Sequence, residues 1–171
     1  MSMSSLVTLD IEGNSFSGEI SVNIGNLKAL SVLNLSGNRF SGKIPGSIGS
    51  LYKLTALDLS NQNLIGELPL DLFGLPNLQL IALQENSFSG DVPECFSSLL
   101  GLHYLNLSSN LFSGHIPSTF SFLKSLVVLS LSNNNVSGNI PPKLDNCSAL
   151  QVPKIPIFPL LSQDRKLIKP L

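Results

Sequence analysis

Two histidines, two cysteines and four Asn-x-Ser sequences are the residues of this 171-residue chain with which chemistry could begin. His103 and His115 stand at different places in the pattern set out below and fall on different faces, so they cannot share a proton or a metal ion. No acid pair recurs, no Gly-rich phosphate loop is present, and no nucleophile can be matched with a base. The expectation is a chain without catalytic activity, cofactor or metal site. Cys147 takes a position filled elsewhere by Leu, where a thiol acts as a small hydrophobe. Cys95 lies two units of the pattern earlier and on the outer side, about 10 Å away. That is beyond the roughly 7 Å a disulfide tolerates, so both thiols are expected free. Asn34, Asn106, Asn135 and Asn146 begin Asn-x-Ser sequences with no Pro in the middle. They are glycan acceptors if the chain enters the secretory pathway, although short sequons also arise by chance in a chain rich in Asn and Ser.

The element that must carry these residues is a repeat. From residue 4 to 147 the chain divides into six units of 24 residues, with 1–3 ahead and 148–171 behind. Seven apolar columns run through all six units, beginning with Leu6, Leu9, Ile11, Phe16, Ile20, Ile24 and Leu27 in the first. Asn14, Asn38, Asn86, Asn110 and Asn134 share a further column, with Gln62 as its exception. Gly18, Gly42, Gly66, Gly90, Gly114 and Gly138 fill another without exception. Pro45, Pro69, Pro93, Pro117 and Pro141 follow the fifth apolar column, where the first unit has Ser21.

Leu-x-x-Leu-x-Leu alternates in its second half, which predicts a short strand with Leu on one side and variable residues on the other. The Asn amide supplies two donors and an acceptor for a buried turn; at Gln62, Asn61 or Asn63 is expected to take over. Gly permits a positive φ or a close approach of neighbouring chains. The Pro fits an edge or an extended return segment and argues against helix there. A single unit buries too little to offset the entropy of ordering it, so the units must stack and pair their strands into a parallel sheet.

Charged residues are 12% of the chain, about half the usual share, while 34 Leu, 27 Ser and 16 Asn dominate it. A net charge of −1 offers no field for nucleic acid or anionic lipid. No run reaches the roughly eighteen apolar residues of a membrane-spanning helix, so no direct membrane insertion is expected. Met1-Ser2-Met3-Ser4-Ser5 has neither the charged nor the apolar part of a secretory leader.

These columns resemble the leucine-rich repeat. Leu33-Asn34-Leu35-Ser36-Gly37-Asn38-Arg39-Phe40-Ser41-Gly42-Lys43-Ile44-Pro45 is similar to the plant-type 24-residue form, found in receptor-like kinases, receptor-like proteins and secreted polygalacturonase inhibitors. The resemblance implies an α/β-type repeat solenoid: an arc with a parallel β-sheet on its concave face and irregular, 3-10 or short helical segments on the convex side. It implies a non-catalytic protein-interaction module, with a protein or peptide ligand or a co-receptor as partner, on the extracellular side of the plasma membrane or in the apoplast. Family members carry a leader and cysteine-pair caps that are missing here, so a fragment of a receptor ectodomain is expected. A secreted inhibitor-like binding protein and a truncated product without a binding role are the alternatives.

On the concave face the largest and least repetitive side chains are Leu80, Gln84, His103, Tyr104 and Val128, and a ligand is expected there. A glycan at Asn106 would cover that patch. Beyond Cys147 a seventh unit begins with Leu150, then loses the pattern at Pro153, Phe158 and Ser162. This Pro-rich tail reads either as a strand that blunts the sheet edge or as a segment foreign to the repeat.

Overall fold

A computed structural model describes residues 4–142 and 144. Asn146, Cys147 and the divergent segment from 148 lie outside the described residues. Each unit contributes one strand of the predicted alternation: β1 (Thr8–Asp10), β3 (Val32–Asn34), β5 (Ala56–Asp58), β7 (Leu80–Ala82), β9 (Tyr104–Asn106) and β11 (Val128–Ser130). They pair in chain order into one parallel six-stranded sheet. Equivalent residues face one another, as in Leu33 with Leu57 and Ile81 with Leu105. The in-register pairing is the structural form of the 24-residue period.

The alternation has an energetic cause. Leu33, Leu57, Ile81 and Leu105 are fully buried, as are the column leaders Leu30, Leu54, Leu78, Leu102 and Leu126. Phe88, Phe96, Phe112 and Phe120 are the largest of the fully buried side chains. Phe96 meets Phe73 and Phe120 edge-on, with centroids 4.9 and 5.9 Å apart, the arrangement ring quadrupoles favour.

A second parallel sheet, which the sequence pattern did not announce, runs beside the first. Its strands are β2 (Ser17–Glu19), β4 (Arg39–Gly42), β6 (Asn63–Gly66), β8 (Ser87–Asp91) and β10 (Leu111–Ser113). Here Ser17 faces Arg39 and Phe112 faces Gly90. The pairing has slipped by two residues against the repeat columns. An even slip keeps every side chain on its own face.

The Gly column runs along this second sheet, with Gly18, Gly42, Gly66 and Gly90 in its strands and Gly114 directly after β10, and it meets both demands expected of it. Gly114 has φ +74, and a Cβ there would lie 2.8 Å from the Asp91 carboxylate of the preceding unit. The Pro column is extended, as expected, and marks where the 3-10 segments begin: Gly46–Ser50, Leu70–Gly74, Glu94–Ser98 and Ser118–Phe122 follow Pro45, Pro69, Pro93 and Pro117. The lone carbonyl of Pro45 accepts the Ile48 N–H at 3.0 Å, so the ring pre-sets the entry to the helix while its missing donor costs nothing. These helices and the one at Val22–Asn26 form the side opposite the strands' variable face. None among the described residues is long and apolar enough to cross a membrane.

The Asn column performs as expected and also staples units together. Asn110 Nδ2 donates to Leu107 O and Ser108 O within its own turn and to Leu83 O of the preceding unit, at 2.9–3.1 Å. Its Oδ1 accepts the Phe88 N–H at 3.0 Å. Gln62 was expected to yield this role to Asn61 or Asn63, and does not. Its Nε2 donates to Leu35 O at 2.7 Å and its Oε1 accepts from Phe40 N at 3.0 Å. The extra methylene still spans the gap to the preceding unit.

Candidate binding surface

The concave sheet presents its variable residues in rows. The register aligns Thr8, Val32, Ala56, Leu80, Tyr104 and Val128 across all six strands. Ala56, Leu80 and Ala82 form a small cluster of their own on this face, with Val32 and Tyr104 packed against it. The result is an apolar stripe running along the stack. From Val32 to Val128 it covers four strand steps, about 19 Å, or the length of about six residues of an extended peptide.

Of the five residues expected to form the patch, the structure brings four onto this face and sets one at its flank. Leu80 and Val128 are only 3% and 4% exposed, so they form the floor of the stripe. Tyr104 rises half-buried between them, and its hydroxyl accepts from Asn106 Nδ2 at 3.3 Å. Gln84 lies two rows on, half-buried, and its Oε1 is buried with no hydrogen-bond partner. An acceptor in that state in a native fold calls for an explanation. His103 precedes β9, is exposed, and donates from Nδ1 to Gly101 O at 2.7 Å. That bond fixes the tautomer and leaves Nε2 outward.

The next row, Asp10, Asn34, Asp58, Ala82, Asn106 and Ser130, was expected to be simply variable. The structure gives three of its members a common task. Asn34, Asp58 and Asn106 each accept, through one Oδ1, the N–H and the hydroxyl of the Ser two residues on. These Asx turns end the strands. Asn-Leu-Ser and Asp-Leu-Ser in the sequence were the signal for them. Burial pushes the Asp58 carboxyl up from its ordinary value; the Ser60 hydrogen bonds pull the other way, and Glu12 and Asp10 add to the rise.

The remaining candidates lie elsewhere. His115 lies two residues past β10, where it makes an isolated parallel bridge to Ser137 and covers the space a side chain at Gly138 would need. Cys95 is exposed and free, in an open hollow with Glu67, Asp91 and Glu94. Among the described residues no group of His, Cys, Asp and Glu could hold a metal ion. Asn34 is fully buried, while Asn135 is exposed.

Comparison with known proteins places this geometry. The leucine rich repeat family model matches residues 4–65, 53–112 and 76–136. No match was found among curated proteins. Among solved structures, the plant peptide hormone receptor RGFR1 in complex with RGF2 is 36% identical with a TM-score of 0.83, over 85% of this chain and 23% of that one. The Arabidopsis receptor kinase HAESA ectodomain, in complex with an N-terminally extended IDA peptide hormone, is 39% identical with a TM-score of 0.82, over 86% of this chain and 25% of that one. HAESA in complex with IDA and the co-receptor SERK1 matches at 33% identity and a TM-score of 0.70, over 90% of this chain and 30% of that one. The chain thus spans about a quarter of the length of these receptor structures. Its strand register, its Asn staples and its matched residues together show that the chain belongs to the leucine-rich repeat family, and its fold is similar to that of plant receptor ectodomains.

Proposed function

We propose that this chain is a non-catalytic, ligand-binding segment of a plant leucine-rich repeat receptor-like kinase or receptor-like protein. It acts on the extracellular side of the plasma membrane and takes an extended peptide along its concave sheet. The observation that carries this reading is the stripe from Val32 to Val128, with Tyr104 standing on an apolar floor. Tyr is an effective anchor because its ring buries area while its hydroxyl keeps a polar partner. The peptide hormones bound by RGFR1 and HAESA support the choice of ligand class, and SERK1 on HAESA supports a co-receptor as a second partner.

The test is a screen of the 171-residue chain against a randomised library of extended peptides, with the RGF2 and IDA peptides included. Tyr104→Ala is expected to weaken the selected binders by about tenfold or more. Leu111→Ala, at an exposed site on the second sheet, should leave them unchanged. Equal loss in both variants, or no selected binder, would remove the concave stripe as the docking site.

A further inference from the structure

Three Asn-x-Ser sequences lie within the described residues, and the fold uses them in two ways. Asn34-Leu35-Ser36 and Asn106-Leu107-Ser108 end β3 and β9. In both, Oδ1 accepts the Ser hydroxyl at 2.7 Å and the Ser N–H at 3.0–3.1 Å. Asp58-Leu59-Ser60 ends β5 with the same pair of bonds, at 2.6 and 2.9 Å. A carboxylate serves in the same place as the amides. The turn therefore selects a side-chain oxygen at this position and has no need of a nitrogen, and Asn-x-Ser is one of two spellings of it. The nitrogen is where a glycan would attach. At Asn34 the whole side chain is buried and Nδ2 donates to Glu12 Oε2 at 3.1 Å. At Asn106 Nδ2 is turned to the Tyr104 hydroxyl, on the half-buried floor of the concave face.

Asn135-Val136-Ser137 is different. Its backbone extends the second sheet, with Asn135 N donating to Phe112 O and Ser137 N to Gly114 O, at 2.8 and 2.9 Å. Asn135 stands in the row of Ser15, Arg39, Asn63, Ser87 and Leu111, every one of them exposed. A row that already holds Arg and Leu in the open has room for a bulky attachment, which a glycan requires.

We propose that, among the described residues, Asn135 is the N-glycan attachment site, and that the sequons at Asn34 and Asn106 are strand-ending turns that stay unmodified in the folded protein. A sugar on Asn135 sits beside the second sheet and leaves the peptide stripe open. The proposal rests on the extracellular reading above, but not on peptide binding. Glycan transfer acts on the unfolded chain. The Asn Nδ2 bonds to the anomeric carbon of a lipid-pyrophosphate-linked oligosaccharide, the sugar–pyrophosphate bond breaks, and the lipid pyrophosphate leaves with the amide proton. A chain modified at Asn34 could not bury that amide again and would not join the folded fraction.

The test is glycopeptide mapping of the full chain, secreted from plant cells behind an added leader and sorted by resistance to proteolysis. Occupied Asn135 with bare Asn34 and Asn106 in the resistant fraction is the expected result. A bare Asn135, or a glycan on Asn34 or Asn106 in that fraction, overturns the assignment. Neither outcome depends on ligand, so failure of the peptide-binding reading shows separately, in the library screen. A second comparison uses bacterial protein, which carries no glycan. Asn106→Asp keeps the turn oxygen and, compared in acid where its carboxyl is protonated, should hold the melting midpoint within about a degree or two, while Asn106→Gln should lower it by about 3 °C or more. Equal midpoints, or equal failure to fold, would overturn the turn assignment. Asn135→Gln should leave the midpoint unchanged, and a fall matching that of Asn106→Gln would count against the proposal.

Discussion

Asn110 holds two units together with one amide. Two of its four hydrogen bonds cross to the preceding unit, and the residue is 6% exposed. Asn110→Leu leaves the Phe88 N–H without its acceptor, while Leu83 O, Leu107 O and Ser108 O each lose one donor and keep Asn86 Nδ2, Asn134 Nδ2 and the Glu85 N–H. The expected cost is about 1–3 kcal/mol in denaturant unfolding. Asn110→Gln should cost about 1 kcal/mol or less, because Gln62 fills the same place; an equal loss in both variants would show that shape, not hydrogen bonding, governs the column. Asp58 is the opposite case, a buried carboxyl where Asn also fits. Its folded-state pKa is raised, so the folded protein holds that proton more firmly than the unfolded chain does. The associated stability is fully present below the ordinary carboxylate value and is lost as pH rises through the raised one. Asp58→Asn, made in bacteria because it completes a sequon, should raise the melting midpoint at pH 7. The gain should shrink toward zero in acid, and a gain independent of pH would contradict the burial argument. The Asn ladder was legible because one residue type recurs at one spacing. The Asx turns were not, since their column mixes Asn, Asp, Ala and Ser, and only the Ser two residues on gives them away.

At the scale of elements, the concave strands could be read from alternation, because one face is buried and the other is not. The second sheet could not. Its strands carry exposed residues at Arg39, Asn63 and Leu111, and its slip of two residues matches no column. The Gly column marked the place without naming the sheet. Its members have positive φ, and side chains of the preceding unit cover Gly42, Gly66, Gly90, Gly114 and Gly138. Gly114→Ala should therefore destabilise by about 1–3 kcal/mol. Gly74→Ala is the control: Gly74 lies in a 3-10 helix with nothing within 4 Å of a new Cβ, and a change within about 0.5 kcal/mol is expected. Matching losses would mean that the strain assigned to the second sheet is absent. The Pro column marked its extended return positions correctly, and a 3-10 helix starts directly after each of Pro45, Pro69, Pro93 and Pro117.

At the scale of the molecule, the stack is well packed in its middle and open at its first unit. Leu57, Ile81 and Leu105 are fully buried, whereas Val7 is 55% and Phe16 49% exposed. A solenoid whose terminal unit shows its apolar face tends to associate. The isolated chain should show a strand-rich spectrum with little helix and concentration-dependent mass in sedimentation; a single monomer mass at all concentrations would contradict this. The concave stripe was legible in part. Tyr104 stood out as the aromatic of its row and Gln84 as a large residue in a row of mostly Ser, but the burial of Leu80 and Val128 depends on neighbouring strands that no single row shows. The central claim is that this stripe takes the ligand. Hydroxyl-radical footprinting of the chain, with and without the strongest peptide from the library, tests it directly. The expected result is protection of Tyr104 and His103, with Leu111 and Phe122 as reactive as before. Protection of Leu111 or Phe122, with Tyr104 still fully reactive, would place the ligand on another face and contradict the account.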